Sequence, residues 1–239
     1  MQLRQLHDPR SSTCSYLVWD EATRDAAIID PGGELTYSRL FMALSKYLNV
    51  TGLDYVIASH QDPDIVASIN KWLVGTDCKV VVPALWERFI PHFTRPGKLQ
   101  HRMITIPDEG MRLALGNIQL MALPAHFLHA EGNFQFYDPV SKILFSGDLG
   151  ANLAHSELDT PVTRISDVIE TMRPFHRRYM NSNKACRYWA NMVRELDIKM
   201  IVPQHGRCFS GRAVTELIDW ISTLECGLDL MTQDNYRLP

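Results

Sequence analysis

The sequence lacks the features that define several large classes of protein. Its five cysteines are scattered, odd in number and without a CxxC pair, which argues against a disulfide framework and favours a reduced, cytoplasmic protein. No apolar run approaches the roughly 18 residues that a membrane span requires, and the first residues do not form a signal peptide. The 24 basic residues do not exceed the 27 acidic ones. We therefore predict a protein that binds neither membranes nor nucleic acid.

What is present is typical of a folded domain. Of the 239 residues, 46 % are hydrophobic and 21 % are charged, so the chain can bury a large core. We find no internal repeat, no low-complexity segment and no Ser/Gly-rich linker, and we expect residues 1–239 to form a single domain.

Hydrophobic periodicity predicts alternating strands and helices. Strands are expected at residues 15–20, 25–30, 54–59, 79–83, 102–106, 112–115, 119–123, 134–137, 142–145 and 200–203. Helices are expected at residues 36–48, 64–75, 164–173, 183–195 and 212–230. Strand-rich halves that are each followed by helices predict an α/β fold in which helices cover the outer faces of a sheet sandwich.

Potential metal ligands recur where the predicted strands end, and they are His60, Asp62, Asp64, His129, Asp148 and His205. The run His60-Gln-Asp62-Pro-Asp64 places three of them in five positions, and its proline favours a turn. Three imidazoles and three carboxylates can surround two metal ions, with one carboxylate bridging them. Taken singly, Asp62 or Asp64 could cap a helix and Asp148 could cap a turn, so the prediction depends on the whole set.

The order of these residues resembles the metallo-β-lactamase fold, an αββα sandwich. The resemblance rests on Ile28-Ile-Asp-Pro-Gly32, the H-x-D-x-D motif, a middle histidine, Gly147-Asp148 and Pro203-Gln-His-Gly206. Hydrolases of that fold carry H-x-H-x-D-H. A carboxylate at the second position is typical of flavodiiron proteins and the related oxygen-binding diiron proteins. The stretch from His126 to Asp148, Arg178-Tyr-Met180 and Trp189 look especially like the oxygen-binding group.

Carried onto this sequence, the resemblance implies a diiron site. One iron would bind His60, Asp62 and His129, the second would bind Asp64 and His205, and Asp148 would bridge them. The middle ligand could instead be His126. The family places it 19 positions before the bridging aspartate, and 148 minus 129 is 19, which favours His129. His155 and His176 are weaker candidates.

Two positions depart from the family pattern. Asp62 is one methylene shorter than the usual glutamate, so it could reach the metal differently or through water, and Ile65 replaces the last histidine of the hydrolase motif. The second metal would keep open positions. Three carboxylates compensate the charge of two oxidised irons, so we predict iron, with two zinc or manganese ions as the alternative.

The implied function is binding of O2 or NO, as a sensor or as a reductase that depends on an external electron donor. His126, Tyr179 and Asn133 are candidates for groups that steady the bound diatomic. No Gly-rich phosphate loop for a flavin is found, and the chain leaves no room for a flavodoxin domain, so we expect a donor or signalling partner protein. Flavodiiron relatives pair their domains, which implies a homodimer.

Two other functions remain open at this point. The first is a dinuclear zinc or manganese hydrolase acting on an ester, thioester or phosphoester. It predicts a substrate cleft near the aromatic segment Trp86–Phe93, although such a segment is more often plain core. The second is a metal-free scaffold that only binds a protein.

Overall fold

The computed structural model describes residues 2–8, 13–152 and 160–238. Its first half forms a six-stranded sheet in which the strands follow one another in chain order. The strands are β1 (Gln2–Asp8), β2 (Thr13–Trp19), β3 (Ala26–Ile29), β4 (Tyr55–Ile57), β5 (Lys79–Pro83) and β6 (Met103–Ile106). The first three are antiparallel, and β3 to β6 run parallel.

The second half forms another six-stranded sheet, in the order β12-β11-β10-β9-β8-β7. The strands are β7 (Met111–Leu115), β8 (Ile118–Pro124), β9 (Phe134–Asp138), β10 (Ile143–Gly147), β11 (Met200–Pro203) and β12 (Phe209–Ser210). Its neighbours are antiparallel except β10 and β11, which run parallel.

The two sheets pack face to face around an apolar layer. Side chains alternate between the faces of a strand, and β5 shows the result. Val81 points into the layer between the sheets, with Phe136 and Phe145 of the second sheet, whereas Val80 and Val82 point to the outer face. One strand therefore contributes to two separate parts of the core.

Helices cover both outer faces of the sandwich. They are α1 (Tyr37–Leu44), α2 (Pro63–Val66), α3 (Ile69–Gly75), α4 (Ile169–Tyr179), α5 (Asn183–Val193) and α6 (Arg212–Thr223). Leu40 and Trp72 pack against the first sheet, and Trp189 and Leu217 pack against the second. The predicted α/β fold with an αββα sandwich is confirmed. No helix of the described ranges has the length and apolarity needed to cross a bilayer.

Two predicted helices differ from the structure for identifiable reasons. The helix predicted at 64–75 is interrupted at Ser68, whose hydroxyl donates to the carbonyl of Gly32 at 2.5 Å and so competes with the helical pattern. The helix predicted at 164–173 instead occupies Ile169–Tyr179. It continues through Pro174 because Met172 and His176 are buried on either side.

Other boundaries were also predicted wrongly. Helix α1 ends at Leu44, before the predicted end at residue 48, and α6 ends at Thr223, before residue 230. Strands β1 and β12 were not predicted. The segment Ala84–Phe93 forms a 3-10 helix of ten residues, which is unusually long for that conformation.

Candidate metal centre

The first three candidates lie on the turn that leaves β4. The backbone amide of Ser59 donates to the Asp30 carboxylate at 2.9 Å, and the Ser59 hydroxyl lies 2.9 Å from Nδ1 of His60. These contacts fix the His60 ring and leave its Nε2 available for another partner. Asp62 stands at the N-cap position of α2 but makes no capping hydrogen bond, so its carboxylate is directed elsewhere.

His129 lies on the loop between β8 and β9. Its φ is +77°, in the left-handed region that residues other than glycine rarely adopt. The loop is held by the Phe127 amide, which donates to Ala130 O at 2.8 Å, and by Asn133 Nδ2, which donates to Leu128 O at 2.5 Å. Strained backbone of this kind is characteristic of functional sites. Asn133 therefore positions the loop that carries His129.

Asp148 and His205 follow the neighbouring parallel strands β10 and β11. The backbone amide of Gln204 donates to Gly147 O at 2.7 Å and connects the two strand ends. The Tyr16 hydroxyl donates to Pro203 O at 2.5 Å and so connects the first sheet to this end of the second. The centre is thus built where both sheets end.

Four of the candidates converge on one point. Oδ2 of Asp62 lies 2.9 Å from Nε2 of His129 and 3.7 Å from Nε2 of His60. Oδ2 of Asp148 lies 3.6 Å from the same His129 nitrogen. One donor atom from each of these four residues lies within 4.8 Å of the others, a spacing that suits one metal ion.

The remaining two candidates meet the other side of Asp148. Nε2 of His205 lies 3.4 Å from Oδ2 of Asp64 and 3.6 Å from Oδ1 of Asp148. Asp148 therefore presents one carboxylate oxygen to each group of side chains. The six residues that the sequence singled out lie together, with Asp148 between the two groups.

The charges at the centre are interdependent. The hydrogen bond from His129, and next the nearby imidazole of His60, hold the pKa of Asp62 well below its usual range. Burial lowers the pKa of His60, but Asp62, Asp148 and Asp30 outweigh it and raise the pKa overall. Burial raises the pKa of Asp30 to about 6.

The side chains present fit metal cations. Nε2 of His60 and Oδ1 of Asp148 are buried and have no hydrogen-bond partner among the described residues. Buried polar atoms normally have partners, and these two are of the imidazole and carboxylate types that bind iron, manganese or zinc. The cluster also brings three carboxylates together, of which that of Asp148 is buried, and bound cations would neutralise them.

The other predicted residues are placed differently. Nε2 of His126 donates to Asp108 O at 2.9 Å, and its ring packs on Phe134, so its observed contacts do not involve the six clustered residues. The ring of Tyr179 lies 5.4 Å from that of His129 and is 52 % exposed. His155 lies outside the described residues.

His176 has a structural role in the fold. Its Nδ1 donates to Met172 O at 2.8 Å, and its Nε2 accepts from the Gly150 amide at 2.9 Å. Both ring nitrogens are occupied in the neutral form, so neither is available to a metal. The side chain thereby links α4 to the turn that carries Asp148.

The burial of His176 predicts how the unfolding free energy of the protein changes with pH. Burial lowers its pKa to about 4, below the unfolded value of 6.5, so this contribution to stability is complete above pH 6.5 and is lost as the pH falls to 4. Between these limits the loss is about 3 kcal/mol. We expect metal-free wild type to lose that much more unfolding free energy than His176→Gln between pH 7 and 4, as measured by urea denaturation. Equal losses in the two proteins would contradict it.

Several residues that shape the centre were not predicted. Asp30 and Ser59 orient His60, and Nε2 of Gln204 donates to Asp64 Oδ2 at 3.3 Å. Gln204 is adjacent to His205, and Ser59 is adjacent to His60. Their position next to a candidate ligand in the sequence could therefore have indicated that they shape the centre. Asp30 is distant in sequence and gave no such signal.

A groove of about 520 Å³ lies near the segment predicted to line a substrate cleft. It is lined by Leu85, Trp86, Arg88, Phe89, Asp108, His126, Phe127 and Glu131. Residues of the Trp86–Phe93 segment thus line a surface groove, and His126 belongs to the same surface.

The sandwich and its clustered candidate ligands are those of the metallo-β-lactamase class of proteins. Within that class, the model of the ODP family of β-lactamase-like proteins matches residues 12–206, and the chain belongs to this family. Two structures of the chemotaxis sensor ODP are similar over most of both chains. The apo state from T. denticola has 36 % identity and a TM-score of 0.87, and covers 98 % of this chain and 94 % of its own.

The second structure, described as a peroxy diiron species of that sensor, has 37 % identity and a TM-score of 0.84, and covers 94 % of this chain and 91 % of its own. The flavodiiron protein of Giardia intestinalis shares the fold at 19 % identity and a TM-score of 0.73, over 87 % of this chain and 50 % of its own. An uncharacterised protein of Methanocaldococcus jannaschii is 26 % identical over 86 % of this chain. The chain spans 52 % of that relative's length.

Proposed function

We propose that this protein binds two iron ions and uses them to bind O2 or NO as a sensor of the diatomic. The observation that carries the proposal is the position of Asp148, which offers one oxygen to the His129 side and the other to the His205 side. A carboxylate between two sets of ligands is the arrangement that a two-metal site requires. Similarity to a sensor described as a diiron species supports the choice of metal.

In this proposal His60, Asp62 and His129 hold one iron, Asp64 and His205 hold the other, and Asp148 bridges them. The Asp62 side chain is one methylene shorter than the glutamate usual at this position, yet its carboxylate reaches the His60 and His129 rings, which supports direct ligation. Ile65, a residue of α2, is fully buried in the core, so no second imidazole is supplied there. Two ferrous ions would supply the electrons needed to bind a diatomic.

Neighbouring residues would orient the proposed iron ligands. The Ser59 hydroxyl holds the His60 ring at Nδ1 and leaves Nε2, on the Asp62 side, free to bind iron, and Gln204 orients Asp64 by donating to its carboxylate. Asp64 is 37 % exposed, whereas His60 is 1 % exposed. The side held by Asp64 and His205 is therefore the more open to solvent.

We favour a sensor over a self-sufficient reductase. The similar solved protein is described as a chemotaxis sensor, and this suggests a signalling protein as the partner. A reductase would need an external electron donor. Pairing of two copies in a homodimer and a place in the cytoplasm belong to the same proposal.

The choice of middle ligand gives a direct test. We expect His129→Ala to lower the iron content from about two ions per chain to one or fewer, because Nε2 of His129 faces both Asp62 and Asp148. His126→Ala is the matched control and should keep both ions, because its ring bonds Asp108 instead. Metal content after anaerobic reconstitution measures both. Loss of iron in His126→Ala alone would reverse the assignment.

A further inference from the structure

Two of the five cysteines are in contact in the core of the second half of the chain. Sγ of Cys186, on α5, lies 3.8 Å from Sγ of Cys226, in the segment that follows α6. Both side chains are fully buried, and the two positions are 40 residues apart in the chain. The sulfur of Cys14, by contrast, contacts Gln5 and Gly206. Cys186 and Cys226 are therefore placed to react with each other.

The pair needs only a small movement to form a disulfide. Because a disulfide bond is about 2 Å long, the two sulfurs would have to approach each other by about 2 Å. Cys186 is fixed in α5, where its backbone amide donates to Ser182 O at 3.2 Å. Cys226 lies outside α6, and none of residues 227–238 is buried. Cys226 is therefore the residue of the pair that can move.

The segment after Cys226 is held against the start of α5 by hydrogen bonds at its surface. The Leu228 amide donates to Asn181 O at 2.8 Å. The Asp229 carboxylate accepts from the backbone amides of Asn183 and Cys226, at 2.5 Å and 3.1 Å. A segment with few buried contacts opens locally at a lower cost in free energy than the whole fold. Such opening gives a small solute access to the Cys226 sulfur, which is buried in the closed form.

The two thiols differ in acidity. Contact with Cys186, and to a lesser degree the charge of Arg177, lowers the pKa of Cys226 against the opposing effect of burial. The same contact, together with burial, raises the pKa of Cys186. Burial also raises the pKa of the other three cysteines, which are Cys14, Cys78 and Cys208. Because the thiolate is the nucleophile, Cys226 is the cysteine best suited to attack an oxidant, and Cys186 is placed to attack the product.

We propose that Cys186 and Cys226 form a site that reacts with hydrogen peroxide and closes a reversible disulfide. The oxidised form joins α5 to the segment that follows α6 and so holds the short 3-10 helix Gly227–Leu230 in its closed position. The proposal does not rest on the function of the metal centre, because the two sulfurs need no iron to react. It adds a response to peroxide, carried by thiols, to the response proposed for the centre.

The reaction has two steps that balance without another reactant. The Cys226 thiolate attacks one oxygen of hydrogen peroxide, the O–O bond breaks, and Cys226 becomes a sulfenic acid. The hydroxide that leaves takes up the proton that Cys226 had lost and becomes water. The Cys186 sulfur then loses its proton and attacks the Cys226 sulfur, so that the S–O bond breaks, the S–S bond forms and a second water leaves. The two thiols lose two electrons, and these reduce one peroxide to two waters.

The first test uses the full-length, metal-free and fully reduced protein, so that iron does not consume the peroxide. After peroxide treatment, free thiols are alkylated in denaturant, and a digest prepared without reductant is mapped by mass spectrometry. We expect a peptide that joins Cys186 to Cys226, loss of two of the five thiols, and their recovery with dithiothreitol. The pair should react about tenfold faster than the other three cysteines, because the rate follows the thiolate fraction. Equal rates at all five cysteines, or oxidation of Cys226 to the sulfinic acid without the linked peptide, would overturn the proposal.

Two substitutions separate the roles of the pair. In Cys186→Ser the sulfenic acid of Cys226 has no partner thiol, so we expect labelling of Cys226 by dimedone and no linked peptide. In Cys226→Ser we expect Cys186 to stay reduced. Cys78→Ser is the matched control, because it removes another buried thiol, from the core of the first sheet, and it should form the link at the wild-type rate.

Dimedone labelling of Cys186 in Cys226→Ser, without labelling of Cys226 in Cys186→Ser, would overturn the order of attack. The peptide map of the wild type needs no substitution, so it decides the proposal even where a variant folds poorly.

Discussion

Replacing Asp148 by asparagine is expected to reduce bound iron from about two ions per chain to well under one. The side chains differ little in shape, but asparagine has one oxygen and no charge. It therefore cannot present a carboxylate oxygen to the His129 side and another to the His205 side, as Asp148 does. The other five side chains would keep their positions. We expect the optical response to O2 to disappear together with the iron, in a metal analysis and an anaerobic titration with air.

The same substitution should leave the metal-free fold intact. Asp148 is one of the charges that raise the pKa of the buried Asp30, and its Oδ1 has no hydrogen-bond partner within the described part of the chain. Removing that charge relieves repulsion, so the thermal midpoint of the metal-free variant should equal or exceed that of the wild type. Asp197→Asn, on an exposed carboxylate paired with Lys142, is the control. Full iron content in Asp148→Asn would refute the bridging role.

Gly206→Ala is expected to have the largest effect on stability. Gly206 has a φ of +91°, and a Cβ there would lie 2.3 Å from Asn152 O and 2.5 Å from Asn152 Oδ1. The backbone must move, and His205 is the adjacent residue. We expect a loss of about 3 kcal/mol or more of unfolding free energy, measured by denaturation of the metal-free protein. We also expect lower iron content, because His205 is displaced.

Gly97→Ala separates the two causes of this loss. Gly97 has a φ of +79°, but a Cβ there would meet nothing within 4 Å. It therefore incurs only the cost of a left-handed backbone, about 1 kcal/mol, with full iron content. If both variants lose the same free energy, the close approach to Asn152 is not what requires glycine at position 206.

The sequence was sufficient to predict that the candidate residues lie near one another, because most of them follow strand ends. Strand positions were recognisable from buried hydrophobic runs, and parallel neighbours such as β10 and β11 end at the same edge. His60, Asp148 and His205 therefore could be placed together without coordinates. The choice of His129 came from the family spacing and not from local pattern, because His126 stands on the same loop.

Other features could not be predicted because they depend on tertiary contacts. The break of the helix at Ser68 results from a hydrogen bond to Gly32, which is distant in sequence. The extension of α4 through Pro174 results from burial of Met172 and His176. Asn133, a candidate for steadying the bound diatomic, also holds Leu128 in the His129 loop through its side-chain amide. Each of these features depends on which residues come into contact in the folded protein.

The central claim is most directly tested by metal analysis together with an optical spectrum recorded under nitrogen and again after adding air. The account predicts about two irons per chain and a near-ultraviolet absorption that grows only after air is added. Two zinc ions with no spectral response to air would contradict it. That result would favour a hydrolase acting on an ester, thioester or phosphoester, with the groove near Trp86 as its cleft.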